Sequence, residues 1–323
     1  MTDYVISVRN IRRGVFGSEP GTTRFLEIPA DADAPHPDHG IGRTHWVERV
    51  MDLARTGPDP ATGRDCGDIL VLVHGYNNEL PVVMKRHRRL KENLSAAGFG
   101  GAVVSFDWPS NNIALNYLED RSDARITSIK LVDDCIRLFT LTQLRGCAYN
   151  VHLLAHSTGA YVIREGFDDA DDRRNIAATN WTASQVVFVG ADVSAKSLGL
   201  DDSKSSSLYR HSIRLTNFQN PYDSVLKLSN IKRMGVAPRA GRVGLPDRIP
   251  HKAVNVNCGP YFRTLRPDPD TTGSWEHSWY FDSPFFAEDL ALTLKGDIDR
   301  NYIPTRRRGP DGSLLLGSPV TPA

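Results

Sequence analysis

The residues best placed to do chemistry are Leu153-Leu154-Ala155-His156-Ser157-Thr158-Gly159-Ala160. An apolar, strand-like run leads into them and a helical pattern leaves them, so Ser157 falls at a strand-to-helix turn. In such a nucleophile elbow the hydroxyl is lifted clear of the strand ends, and the helix N-terminus behind it favours developing negative charge. So tight a turn needs small residues two before and two after the serine. Gly159 fills one of those places, and Ala155 stands where the motif usually has glycine. The same string equally suits Ser157 as the N-cap of the following helix. A second string, Asp68-Ile69-Leu70-Val71-Leu72-Val73-His74-Gly75-Tyr76-Asn77-Asn78, runs an apolar strand into a His-Gly turn. Gly75 lets the backbone bend so that the next amide can face inward, the alternative being an ordinary turn.

The elements that must hold these residues follow from periodicity. Strands are expected at Tyr4–Val8, Arg24–Ile28, Asp68–Val73, Gly101–Phe106, Tyr149–Leu154, Gln185–Val189, Ser212–Asn217 and Lys252–Asn257. Helices are expected over 44–55, Pro81–Ala97, Ser122–Leu141, Thr158–Phe167 and Pro284–Leu294. The central strands are short and continuously apolar, the pattern of a parallel sheet covered on both faces. Strands alternating with helices then point to a doubly wound α/β architecture. A single domain is expected over 1–302, with strands, a loop and a helix in 1–60, a core over 68–296 and a flexible tail over 303–323.

Composition narrows the chemistry. The chain has 323 residues, 39 Lys+Arg against 38 Asp+Glu and a net charge of +1, so bulk charge does not suit it to a polyanion and no nucleic-acid partner is expected. Its 40% hydrophobic and 24% charged content is that of an ordinary globular protein. Cys66, Cys135, Cys147 and Cys258 are too scattered for a disulfide framework or a zinc site. There is no H-E-x-x-H or H-x-H-x-D cluster, so no metal and no other cofactor is expected. No apolar run is long enough to cross a membrane and the start, MTDYVISVRN, carries no signal-peptide pattern, which gives a cytoplasmic expectation.

On HGYNN (74–78), SFDWPS (105–110), LLAHSTG (153–159), NPYDSVL (220–226) and HSWYF (277–281) the sequence resembles the α/β-hydrolase superfamily, most of all a bacterial esterase/lipase-like branch of undefined function. The resemblance covers roughly residues 68–296. It implies a mostly parallel eight-stranded sheet with helices on both faces, and a serine-dependent ester hydrolase. It also implies that the backbone N–H groups of Tyr76 and Thr158 form the oxyanion hole, and that the triad runs in the order serine, acid, histidine. His74 precedes Ser157, so it is expected to brace its loop rather than act as the base.

The acid is then expected after the strand Ser212–Asn217, where Asp223 follows a proline turn, although Asp223 could equally cap the next helix. Asp192, after the preceding strand, is the rival. The base is expected beyond Lys252–Asn257, and His277 is the only histidine there. His152 and His211 read as structural, and His156 as shaping the elbow. Trp108 leaves the sheet at its carboxyl edge, where ligands bind in α/β sheets, so it is a candidate substrate wall, although it could instead pack the core; Trp279, beside His277, is a second candidate wall. About 20 residues separate Val189 from Ser212, too few for a large cap domain, so a fairly open cleft is expected. The basic loop 231–250 reads as a solvated connection. A small-molecule ester is the expected partner, with a homo-oligomer left open. Amide or thioester hydrolysis on the same residues, or a non-catalytic binding protein of this fold, are the rival functions.

Overall fold

The computed structural model describes residues 2–59, 62–76, 78–110, 125–143, 148–177, 179, 181–232 and 238–317. Asn77, Cys147, the first three residues of the helix expected at Ser122, residues 233–237 of the basic loop and the last six residues lie outside them.

Twelve strands form one sheet among the described residues. They are β1 (Asp3–Arg12), β2 (Val15–Ile28), β3 (Gly40–Ile41), β4 (Arg55–Pro58), β5 (Asp65–Val73), β6 (Ala102–Asp107), β7 (Ala148–His156), β8 (Ala183–Val189), β9 (Ser212–Gln219), β10 (Ala253–Asn257), β11 (Arg306–Arg308) and β12 (Leu314–Leu316). The order is β11-β12-β10-β9-β8-β7-β5-β6-β1-β2-β3, with β4 paired to β5. The stretch from β12 to β1 is parallel throughout. This sheet is larger than the eight strands expected, because β2, β3, β4 and β11 add antiparallel neighbours at the edges and to β5.

The continuously apolar strands feed two cores. In β5, Ile69, Val71 and Val73 face one side while Leu70 and Leu72 face the other, and β7 and β8 alternate in the same way. The first side is closed by α1 (Arg43–Ala54), by α3 (residues 125–143, with a π-helical stretch at Leu131–Ile136) and by α4 (Gly159–Asp172), through Trp46, Phe139 and Phe167. The second is closed by α2 (Leu80–Ala96) and α8 (Pro284–Lys295), through Leu90, Leu94, Phe286 and Leu290. Between β8 and β9 lies one helix of eight residues, α5 (Ser203–Arg210), and no cap domain. Two shorter pieces carry site residues: α6 (Ser224–Lys232) after β9, and the helical turn α7 (Trp275–Ser278). Among the described residues no helix is long and apolar enough to cross a membrane.

The expected flexible tail is a correction. Residues 306–316 form β11 and β12, and β12 extends the sheet beyond β10. A fully buried ion pair holds them: Arg306 Nη2 lies 2.5 Å and Nε 2.9 Å from the two Asp289 carboxylate oxygens on α8, and Thr305 donates to the same carboxylate at 2.6 Å. An arginine-rich stretch reads as solvated in sequence; here one of its arginines is the anchor.

Candidate active site

The parallel register brings the ends of β5, β7 and β8 to one level. Val73 pairs with Ala155, and His156 with Val189. Ser157 is the next residue, and it takes the left-handed conformation, with φ +56°. Only one other described non-glycine residue, Arg13, has a positive φ. L-residues avoid this region, at a cost of about 1–2 kcal/mol, and here neighbouring backbone holds it in place. Ser157 N–H donates to Val189 O at 3.1 Å, and Ser157 O accepts from Asp192 N–H at 3.0 Å. Gly159 must be glycine, since a Cβ there would come within 2.3 Å of Val73 O. Gly75 is as close, because a Cβ on it would sit 2.6 Å from Ser157 Cβ and 3.2 Å from Oγ. The His-Gly turn therefore lies directly against Ser157, with Tyr76 next in the chain. Thr158 follows the serine and opens α4.

The two candidate residues far along the chain meet at the same place. Asp223, fully buried, sets Oδ2 2.6 Å from His277 Nδ1. Its Oδ1 accepts from Leu226 N–H at 2.9 Å, so the carboxylate also caps α6. The cap and the histidine partner, alternatives in sequence, are both present, one on each oxygen. A carboxylate accepts, so Nδ1–H donates to it, the arrangement that in a neutral imidazole leaves the lone pair on Nε2. His277 lies on α7, 7% exposed, and its ring is tight against Gly190, where a Cβ would be 3.1 Å from Cε1. Asn220 joins the acid and base turns, donating from Nδ2 to Glu276 O at 2.9 Å. Asp192, the rival acid, turns to Arg239 instead, at 3.0 Å.

His156 supports His277 from below. Its Nε2–H donates to His277 O at 2.9 Å, and the two rings lie 4.6 Å apart. Burial, with His277 and Arg86 nearby, pushes its pKa well below the usual histidine range, so it is neutral. His74 braces its loop. Its Nδ1 bonds to Gly75 O at 2.8 Å, its Nε2 is 3.1 Å from Trp108 N–H, and its ring stacks on Trp108.

Trp108 and Trp279 do not line a surface. Trp108 is 1% exposed and donates Nε1–H to His74 O at 2.8 Å; Trp279 is fully buried against Tyr261, Tyr280 and Phe286. Trp108 took the core alternative, its ring stacked on His74, and Trp279 is a correction: the aromatic cluster around it takes up the side chain. The fairly open cleft expected from the short β8–β9 connection does not leave the serine exposed: Ser157 is only 8% exposed. Among the described residues no group of three or more His, Cys, Asp or Glu is arranged to hold a metal.

Sequence reasoning missed Gly190, Asn220 and Arg86. Arg86 carried a visible signal: it falls on the buried stripe Val83, Met84, His87, Leu90 and Leu94 of α2, where a charge is out of place.

The fold is that of an α/β-hydrolase. The chain belongs to a family described as alpha/beta hydrolases of unknown function (DUF900), whose model matches residues 61–256. That span includes Ser157 and Asp223 and ends before His277. No curated protein matches the chain. Among solved structures it is similar to phospholipase PlaB from Legionella pneumophila in complex with thio-NAD, at 15% identity and a TM-score of 0.31, over 55% of this chain and 44% of that one. The match thus spans under half of the phospholipase. It is also similar to a cutinase-like protein from Cryptococcus sp. (12% identity, 74% and 96% of the two chains, TM-score 0.33). A third is Trichoderma reesei cutinase in complex with a C11Y4 phosphonate inhibitor (14% identity, 77% and 84%, TM-score 0.31).

Proposed function

We propose that the protein is a serine hydrolase that cleaves carboxylic esters of small molecules through an acyl-enzyme. The observation that carries this is the Asp223–His277 pair, 2.6 Å apart, beside a serine held at φ +56° on a strand-to-helix turn. In this reading His277 Nε2 takes the Ser157 hydroxyl proton as Oγ attacks the ester carbonyl. The Tyr76 and Thr158 N–H groups receive the oxyanion, a role worth about 100- to 1000-fold in rate for each donor in comparable enzymes. His277 then gives its proton to the departing alcohol, and a water activated by the same nitrogen releases the acid. Asp223 fixes the tautomer and stabilises the imidazolium.

The near-balanced charge of the chain supports uncharged esters over polyanions. The test is turnover of p-nitrophenyl esters of graded chain length by wild type and Ser157→Ala, together with labelling by an organophosphate. Labelling of Ser157 that disappears in His277→Ala supports the enzyme; equal turnover in wild type and Ser157→Ala ends this reading. Absence of any labelling points to a binding protein of the same fold.

A further inference from the structure

Arg86 is a buried cation that the mechanism above does not use. It is 6% exposed, and among the described residues no carboxylate lies within ion-pair distance of it. Burial pulls its pKa down to about 10, with Asp282 opposing, so it stays charged at neutral pH. Burying an unneutralised charge is costly, and its stripe neighbours on α2 show that an apolar side chain would suit the helix alone. What it gains is a set of neutral acceptors from two separate turns. Nη1 donates to Asn78 Oδ1 at 2.9 Å, and Asn78 in turn donates from Nδ2 to Gly75 O at 2.8 Å. On the other side Nε donates to Thr272 Oγ1 at 2.9 Å, and Nη2 donates to Thr272 O at 2.7 Å and to Ser278 Oγ at 2.9 Å. Ser278 adjoins His277. The guanidinium also covers the Phe281 ring, 5.3 Å from its centre, and that ring packs on His156. The chain passes so close at Gly273 that a Cβ there would be 3.1 Å from Nη2.

We propose that Arg86 is a positioning residue: from the rigid helix α2 it holds the turn that presents the Tyr76 amide and the turn that presents His277 at a fixed separation. The inference rests on the ester-hydrolase reading above. Oxyanion donor and base act on the same substrate atom group, so their spacing matters more than the position of either alone; a misplacement of about 1 Å can cost about 100-fold. A planar fork can bridge acceptors on both sides at once, whereas an ammonium on a flexible stem cannot hold them apart.

The experiment compares wild type, Arg86→Lys, Arg86→Met and Ser278→Ala in steady-state hydrolysis of p-nitrophenyl butyrate, with thermal melting of each. For Arg86→Lys and Arg86→Met the expected result is a fall in kcat of about 10- to 100-fold with KM within about threefold, and no rescue by lysine. Ser278→Ala, which removes one bond only and spares the fold if the Arg86 variants melt, is expected to lose about 3- to 10-fold in kcat. Turnover in wild type with kcat unchanged in Ser278→Ala and in folded Arg86→Lys overturns the inference alone. A rise confined to KM does the same. No Ser157-dependent turnover in wild type overturns both this inference and the reading it rests on.

Discussion

Asp223→Asn separates the two jobs of one carboxylate. Oδ1 receives Leu226 N–H at 2.9 Å and Oδ2 receives His277 Nδ1–H at 2.6 Å. Asparagine has a single oxygen to offer. Turning that oxygen to His277 sets the amide N–H against Leu226 N–H and gives up the helix cap, worth about 1 kcal/mol. Keeping the cap sets the amide N–H against Nδ1, which the imidazole accommodates by moving its proton to Nε2. The second arrangement leaves no donors opposed, so the tautomer yields. With Nε2 protonated, His277 cannot accept from Ser157. The expected loss in kcat is about 10⁴-fold, or about 5 kcal/mol on the barrier, while stability falls by less than about 1 kcal/mol because asparagine caps as well as aspartate.

Asp192→Asn should show the opposite pattern. It takes the charge from the Arg239 pair, in which both side chains are largely buried, costing on the order of 3 kcal/mol of stability while leaving kcat within about tenfold of wild type. The assay is p-nitrophenyl ester turnover beside urea unfolding of the two variants. If folded Asp192→Asn loses the 10⁴ and Asp223→Asn keeps its rate, the acid has been assigned to the wrong residue.

Three other outcomes are expected. Ser157→Gly and Ser157→Ala should both be inactive, yet the glycine variant should be the more stable, by about 0.5–1 kcal/mol in urea unfolding: relief of the left-handed strain exceeds the added freedom of the unfolded chain. An alanine variant equal to or above the glycine one would mean that Ser157 is unstrained. His156 and His87 are both buried with pKa values lowered by burial, so the unfolded chain binds their protons near pH 6.5 and the folded chain does not. Their contribution is therefore complete above about pH 6.5 and declines as pH falls below it, by about 1.4 kcal/mol per pH unit for each; His156→Phe should remove one such increment from the slope. Asp289→Ala, which strands Arg306 in the core, should cost about 3–5 kcal/mol and open residues 303–317 to limited proteolysis; a tail that stays protected would show that the pair is not the anchor.

The sequence was most legible where one local pattern decides one element. Val71, Leu72 and Val73 read as a strand buried on both faces, and they are. Ser157 stood out because a single turn, its small flanking residues and the flanking strand and helix all lie within ten residues. His277 stood out by order along the chain, since no other histidine follows β10. What could not be read depends on residues distant in sequence. Whether Trp108 faces a cleft or a core depends on where His74 places its ring and carbonyl. The last strands were missed because Arg306 reads as a surface residue until Asp289, 17 positions earlier, is known to face it. The short edge strand β3 was missed for the same cause: Ile41 pairs with Phe25, on the strand expected at Arg24–Ile28, across a loop of proline and aspartate that carries no strand signal.

The same dependence on placement explains why one set of serine, histidine and aspartate is proposed as a site and another is not. Ser105, His87 and Asp3 also meet: Ser105 Oγ is 2.8 Å from His87 Nδ1, and His87 Nε2 is 3.5 Å from Asp3 Oδ1. In residue types they match Ser157, His277 and Asp223. But Ser105 lies inside β6, both it and His87 are fully buried, and Asp3 is held by Arg88 and Lys91, each at 2.6 Å. That carboxylate is already neutralised, and a strand interior has no turn amides to receive an oxyanion. At Ser157 the backbone reverses into a helix, Gly75 brings a second turn against the side chain, and Asp223 Oδ2 meets the His277 imidazole at 2.6 Å. The proposed nucleophilic chemistry therefore depends on the turn and the glycines more than on the three side chains, which is why Gly75 and Gly159 belong to the proposed site as fully as Ser157 does.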